Sequence, residues 1–256
     1  MIIDINAFAG SWPFHPLQGD LQRVRASLRA YGVDRICVSP LDAIWCRNPH
    51  RYNADLYRAT EAFEDIWPVP ILDPGVATWR EALRGAAQHP KVRMVKLLPA
   101  YSPYPLEAAD TMLDALSEAG LAAIIQTRLE DPRRQHPLAR VPDIPASEVA
   151  DAAERHQQAT VIIGGPRAAE IRQLKDRILA LPNLYADISQ ADGLDMVRTL
   201  VDAGLAEKLL FGSHTPFFIP CAALARVVTD LPDAIALAIL GGNAERICAF
   251  IQGERE

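Results

Sequence analysis

The chain lacks the signatures of several common protein classes. No glycine-rich phosphate loop follows its first apolar run, Ile2–Asn6, which argues against an open, doubly wound nucleotide-binding sheet. There is no G-x-S-x-G turn and no Ser-His-Asp spacing, so serine-hydrolase chemistry of that kind is excluded. Basic charge is in deficit: 26 Lys and Arg against 32 Asp and Glu give a formal net charge of −6. A general nucleic-acid binder needs a basic patch for phosphates, so no nucleic-acid partner is expected. A small anionic substrate is not excluded, because a local arginine cluster can override net charge. The four cysteines, Cys37, Cys46, Cys221 and Cys248, form no C-x-x-C pair and read as ordinary thiols of a reducing compartment. The N-terminal stretch has neither a basic n-region nor a long apolar run, and no segment is long enough to span a membrane. The expectation is a cytoplasmic protein with no membrane partner. A homo-oligomer is left open.

What is present is a regular alternation. Half of the 256 residues are hydrophobic, enough for a large core. Short apolar runs at Ile2–Asn6, Arg35–Ser39, Trp67–Leu72, Arg93–Leu98, Ala122–Arg128, Thr160–Gly164, Leu184–Ile188 and Lys208–Gly212 read as buried parallel strands. Helical runs lie between them. Leu17–Tyr31 repeats apolar residues every three to four positions. Thr78 and Glu81 form a capping-box pattern ahead of Trp79–Gln88. Leu106–Ala119 stops at Gly120, and Ser147–His156 and Ala168–Leu179 flank the sixth strand. Eight such units without a long linker predict α/β architecture: one (β/α)8 TIM-barrel domain over residues 1–256. Leu129–Pro145 is the longest irregular stretch and has the length of a lid or binding loop.

Active sites of this fold lie at the C-terminal ends of the strands. Asn6, Ser39, Asp73, Lys96, Gln126, Arg128, Asp187, Ser189 and His214 are predicted there. His214 is the leading catalytic candidate, because an imidazole titrates near neutrality; the alternative is a histidine that hydrogen-bonds a loop. Lys96 is a second candidate, with Asp187 or Asp73 as partner; a buried structural pair is the alternative. Gln126 and Arg128 alternate onto one face, and an arginine there would favour carboxylates, unless it pairs internally. Asn6, Gln126, Arg128, Trp12 and Ser189 are the substrate-binding candidates. Trp12 lies in the aromatic segment Ser11–Pro16, a pocket wall or a packed loop. Trp45, Tyr52, Tyr101 and Tyr104 are similar candidates. His50, His89 and His156 read as surface residues.

The segment Leu209-Leu210-Phe211-Gly212-Ser213-His214-Thr215-Pro216-Phe217 resembles the "LFGSD-x-PF" signature of the amidohydrolase-related (amidohydrolase-2) family. Asp4-Ile5-Asn6 resembles its opening "D-x-H-x-H" strand, Val95-Lys96-Leu97-Leu98-Pro99 its "G-x-K-L-x-P" strand, and Gly242-Asn243-Ala244-Glu245-Arg246 its closing "G-x-N-A-x-R" helix. The resemblance implies a TIM barrel and metal-assisted hydrolysis or non-oxidative decarboxylation. It also implies metal ligands at positions where this chain has Asn6, Phe8, Gln126, Gly164-Gly165 and His214. The family's aspartate is His214, and phenylalanine cannot bind a metal. Hence no metal at the family position and no cofactor are expected; an unusual site around His214 is the alternative. The resulting expectation is a hydrolase or decarboxylase for a small carboxylated molecule, with a degenerate metal site. The alternative is a non-catalytic descendant that binds a small ligand.

Overall fold

The structure, a computed structural model, describes residues 1–193 and 195–253. Eight parallel strands are found among the described residues: β1 (Ile3–Ala9), β2 (Arg35–Pro40), β3 (Ile66–Pro68), β4 (Met94–Leu97), β5 (Ala122–Gln126), β6 (Val161–Gly164), β7 (Leu184–Asp187) and β8 (Leu209–Leu210). They pair in sequence order as a three-stranded sheet, β1 to β3, and a five-stranded sheet, β4 to β8. Backbone hydrogen bonds join the two sheets at both seams. Leu72 N–H donates to Lys96 O at 3.0 Å and Lys96 N–H to Pro70 O at 2.9 Å. On the other side Ile5 N–H donates to Phe211 O at 3.0 Å, and His214 N–H to Asn6 O at 2.9 Å. The strands therefore form the ring of a (β/α)8 barrel, as the alternation predicts.

Strand ends differ from the sequence reading for identifiable reasons. The third run is broken after Pro68, because Pro68 and Pro70 have no N–H to give the ladder. Its remainder meets β4 through a single bridge at Ile71 and Lys96. In β1 the register with β2 shifts between Asp4 and Ala7, a bulge that leaves one extra residue on β1.

The helices used below are α1 (Leu21–Arg29), α3 (Trp79–Gln88), α4 (Asp110–Glu118), α6 (Ala168–Gln173), α9 (Pro220–Val228) and α11 (Asn243–Gly253); α2 (Arg51–Thr60), α5 (Ala146–Arg155), α7 (Lys175–Ala180), α8 (Met196–Asp202) and α10 (Asp233–Leu237) complete the series. Helix α1 begins at Leu21 rather than Leu17. Asp20 caps it through Arg23 N–H at 3.1 Å, and Gly10 N–H holds the preceding loop by donating to Gly19 O at 2.7 Å. A Cβ on Gly19 would lie 2.1 Å from the Gly10 carbonyl oxygen, so this crossing admits only glycine. Helix α3 lies where predicted, but the Thr78 hydroxyl does not cap it and instead meets His50 Nδ1 at 3.1 Å. Helix α4 ends before Gly120, whose φ of +58° takes the left-handed turn.

Apolar residues fall into three groups. The largest lies between strands and helices, with Val95, Leu97, Ile125 and Ile163 against Leu28, Leu113, Val149 and Ile171. The second closes one end of the barrel, where Ile3, Ile5, Met94, Ile124, Ile162 and Leu210 meet Ala244, Ile247 and Cys248 of α11. The third, Phe8, Trp12, Ile71, Leu98, Leu129 and Phe217 among others, covers the opposite end. Along β4 the two-residue period puts Met94, Lys96 and Leu98 on one face. Met94 joins the second group and Leu98 the third, so Lys96 lies in a polar layer between two apolar ones.

Candidate functional site

The polar layer is organised by Asn6. Its side-chain carbonyl accepts from Lys96 Nζ at 2.6 Å. Its amide nitrogen donates to Asp187 Oδ2 at 2.5 Å and to Gln126 Oε1 at 3.2 Å. Lysine only donates and carboxylate only accepts, so the amide has one workable orientation. Gln126 in turn donates to Arg128 O at 2.7 Å. Asp187 also accepts from Gly165 N–H at 3.0 Å and Ser189 N–H at 2.7 Å. Asn6, Lys96 and Asp187 are each 0% exposed. The structure thus brings together five of the predicted site residues: Asn6, Lys96, Gln126, Asp187 and, through its backbone, Ser189. Lys96 is under the charge of Asp187 and Asp4, not of Asp73, which accepts from Gly75 N–H at 2.8 Å in its own loop.

Burial sets the charge states in this layer. Desolvation lowers Lys96 to about 7, against the pull of Asp187 and Asp4. Desolvation raises Asp4 to about 6, although Ser213 and Asn6 N–H groups bond its carboxylate. Asp187 is also raised by burial, in opposition to its three hydrogen bonds. Lys96 Nζ sits 3.8 Å from the centre of the Phe8 ring, a cation–π contact.

His214, the leading catalytic candidate, is sealed beside this layer. It is 0% exposed. Its Nε2 lies 2.8 Å from Leu129 O, so that nitrogen carries the proton and donates to the carbonyl. The Gln190 amide nitrogen, 3.2 Å from the same Nε2, is then a neighbour rather than a donor to it. Nδ1 is buried with no hydrogen-bond partner among the described residues. Burial, reinforced by the Lys96 charge, lowers His214 to about 3. Phe8, Phe217 and Phe218 surround the ring at 5.1 to 5.4 Å. As placed, His214 is a neutral, packed imidazole that fastens the loop after β5, which is the alternative raised from sequence.

The apolar group over this layer forms a roof. Trp12 is at its centre, with ring centroids of Phe217 at 5.0 Å, Trp45 at 5.8 Å, Phe14 at 6.1 Å and Tyr101 at 6.4 Å. Phe14 stacks on His136, which brings in the Leu129–Pro145 loop. Trp12 does border a cleft of about 580 Å³, but that cleft lies between the loops after β1 and β2 beside Asp20, Asp42 and Asp55, an acidic setting unsuited to a carboxylate. The three histidines read as surface residues are half-buried: His50 accepts from Asp73 N–H at 3.0 Å, His89 stacks on Tyr57 at 4.6 Å, and His156 lies 2.6 Å from Asp114.

A second cleft, of about 570 Å³, opens over the ends of β5 to β8. It is lined by four arginines, Arg128, Arg133, Arg167 and Arg226, against two carboxylates, Asp131 and Asp192, together with Ser189, Gln190 and Phe218. It adjoins the buried layer directly, since Ser189 bonds Asp187, and Gln190 donates to Leu129 O at 3.2 Å. Arg128 is not its free cation. Both of its terminal nitrogens bond Glu170, at 2.7 and 2.8 Å, and its Nε bonds Asp143 at 2.8 Å. Burial works against its charge, but Glu170 and Asp143 more than offset this and hold the guanidinium above the usual arginine range. Arg128 does line the cleft, as expected, but Glu170, Asp143 and the Gly165 carbonyl already occupy most of its donors, so the geometry gives no support to a preference for anionic ligands. Arg133 pairs with Asp131, and Arg167 with Asp143. Arg226 has no ion-pair partner among the described residues; one terminal nitrogen donates to Ala191 O at 2.9 Å and Ile188 O at 3.4 Å. Burial lowers its pKa, opposed by the nearby Asp192. Arg226, Arg167, Gln190 and Phe218 were missed in the sequence. A signal was present for Arg226: it is the lone charged residue in α9, which reads PCAALARVV.

The residues at the resembling family's metal positions do not fit a metal ion. Among the described residues no three His, Cys, Asp or Glu side chains converge. The carbonyl of Asn6 is taken by an ammonium, Phe8 offers a ring, and His214 is committed to Leu129. A histidine at the end of β6 has no room either. A Cβ on Gly164 would lie 2.7 Å from Gln126 Oε1, and one on Gly165 2.7 Å from Gln126 Nε2.

A family model described as amidohydrolase matches residues 42–249. No curated protein matches the sequence. Solved structures with this fold include an uncharacterised TIM-barrel protein from Bordetella bronchiseptica, 18% identical over 98% of this chain and 99% of that one, TM-score 0.73. Another is 2,6-dihydroxybenzoate decarboxylase from Rhizobium, 17% identical over 97% and 98%, TM-score 0.73. A third is 5-carboxyvanillate decarboxylase from Sphingomonas paucimobilis, 12% identical over 97% and 98%, TM-score 0.69. Among the described residues no helix is long and apolar enough to cross a membrane.

Proposed function

The chain belongs to the amidohydrolase family, and from that premise we propose that it is a hydrolase or decarboxylase that handles a small carboxylated molecule without the family's metal. We read residues 1–256 as one domain, since backbone bonds tie the two sheets at both seams. The observation that carries the substrate class is Arg226, a half-buried arginine lining an open cleft with no ion-pair partner among the described residues. A guanidinium in that state binds a carboxylate through its planar fork. Ser189 and Gln190 supply polar contacts beside it, and the Phe218 ring supplies an apolar wall. The structural neighbours named for aromatic carboxylic acids agree with this chemistry.

For the chemical step, Lys96 is the better candidate than His214. A general acid works best with a pKa near the operating pH. Lys96 at about 7 meets that condition and His214 at about 3 does not. In decarboxylation the bond to the carboxylate carbon breaks, carbon dioxide leaves, and the electron pair left on the substrate carbon takes up a proton; Lys96 is the group in this layer suited to deliver it. Asp187 and Asn6 would hold Lys96 in place. Reaching it requires the aromatic roof to open.

That requirement gives weight to a second reading, a non-catalytic binder of small carboxylates. Lys96, Asp187 and His214 are all 0% exposed, as in a scaffold whose old centre has been sealed. Incubation with 2,6-dihydroxybenzoate and 5-carboxyvanillate in excess EDTA, followed by chromatography, separates the readings. Consumption that survives the chelator and is lost in Lys96→Gln supports the enzyme. Saturable binding without consumption supports the binder. Consumption that appears only on adding a divalent metal contradicts the proposal.

A further inference from the structure

We propose that the Lys96 ammonium is a resident cation that takes the electrostatic place of a metal ion in this barrel, balancing Asp187 and Asp4 from within the chain. Three contacts point the same way. Asn6 Oδ1, at one of the resembling family's ligand positions, accepts from Nζ at 2.6 Å. Phe8, at another, turns its ring face to the same nitrogen at 3.8 Å, and a ring face attracts an ammonium while offering nothing to a divalent ion. Gln126 fills the space a side chain on Gly164 or Gly165 would need, and uses its carbonyl to hold Asn6 from the other side. The layer therefore keeps the pattern of a metal centre, a cation among oxygens and two carboxylates, with a covalently attached monocation.

Without Lys96 the layer would hold two buried carboxyls and no cation, and could reach neutrality only by protonating both. Asp4 and Asp187 are both 0% exposed, and the hydrogen bonds they accept come from neutral amide N–H groups among the described residues. A buried carboxylate left without a nearby cation is strongly unfavourable. Lys96 acts on both through its charge, and Asn6 relays the contact by facing Lys96 with its carbonyl and Asp187 with its amide. The proposal stands whether or not the protein turns over a substrate, so its test uses no activity.

The test compares wild type, Lys96→Met and Lys96→Met with Asp4→Asn, all treated with EDTA and desalted, at about pH 6.5, where a folded-state lysine near 7 and an aspartate near 6 both carry charge in part. Asparagine suits position 4, because its carbonyl can keep the bonds that Asp4 Oδ1 takes from Asn6 and Ser213 N–H. Wild type titrated with zinc or manganese chloride in a calorimeter is expected to show no stoichiometric uptake. Lys96→Met is expected to melt well below wild type, and the double variant to melt above Lys96→Met. If Lys96→Met yields no folded protein, recovery of folded protein from the double variant is the same result. Stoichiometric metal uptake by wild type, or a double variant no more stable than Lys96→Met alone, overturns the proposal.

Discussion

The barrel centre and the cleft over β5 to β8 are both rich in polar side chains, and they treat charge in opposite ways. At the centre, Lys96, Asn6, Gln126 and Asp187 satisfy one another, and the first two and the last have no exposure to solvent. In the cleft, Arg128 is tied to Glu170 and Asp143, Arg133 pairs with Asp131 and Arg167 with Asp143, whereas Arg226, with Asp192 nearby, bonds main-chain carbonyls and has no ion-pair partner among the described residues. A closed network stabilises a fold. A cation without a bonded counter-charge is left for a ligand. The difference teaches that position at a strand end does not by itself make a residue functional; what matters is whether its bonding capacity is already used.

The sharpest way to break this comparison is Arg128→Ala. If Arg128 is a structural tie, its loss strands Glu170 and Asp143 and lowers stability by about 3–5 kcal/mol. Urea unfolding measures it; a stable variant that has lost carboxylate binding would return Arg128 to the ligand site. Trp12→Ala tests the roof. Removal of a buried indole is expected to lower stability by about 3 kcal/mol, and to let an amine-reactive reagent label Lys96, read by peptide mass spectrometry. Labelling of Lys96 in wild type at the same rate would mean the roof is no barrier.

The third test concerns pH. Burial lowers Lys96 in the folded state to about 7 from 10.5, so the folded protein holds that proton less tightly than the unfolded chain. The associated stability is full above the ordinary lysine value and is lost as pH falls toward about 7. Between those limits it changes by at most about 1.4 kcal/mol per pH unit. Unfolding of wild type and Lys96→Met at a series of pH values should therefore diverge as pH rises above about 7, after allowance for other groups common to both. Parallel curves would show that Lys96 is not held in a lowered state. The smallest stability effect is expected from Arg226→Gln, within about 0.5 kcal/mol of wild type, because it removes contacts to two carbonyls and no ion pair.

The barrel was legible because its signal is periodic: Met94, Lys96 and Leu98, or Ile124 and Gln126, declare a shared face by spacing alone. The convergence of Asn6, Lys96, Gln126 and Asp187 followed from that periodicity and from the strand order. Bonding capacity was not legible. Arg128 looked free because its partners, Asp143 and Glu170, lie 15 and 42 residues away, in a loop and in α6. His214 looked accessible because, although Phe217 and Phe218 stand in its own segment, nothing there announces that they fold back on the ring or that Leu129 and Phe8 close it from elsewhere in the chain. The Thr78 cap failed for the same reason, since His50 from another loop claims its hydroxyl. Arg226 lies on a helix rather than at a strand end, and its one sequence signal is a single charge within an apolar helix.

The most direct test of the account is calorimetric titration of isophthalate, a small aromatic dicarboxylate, into wild type and Arg226→Gln. Saturable binding to wild type, weakened roughly tenfold or more in Arg226→Gln at an unchanged melting temperature, is the expected result. Equal affinity in the two proteins would contradict the assignment of the cleft as the carboxylate site.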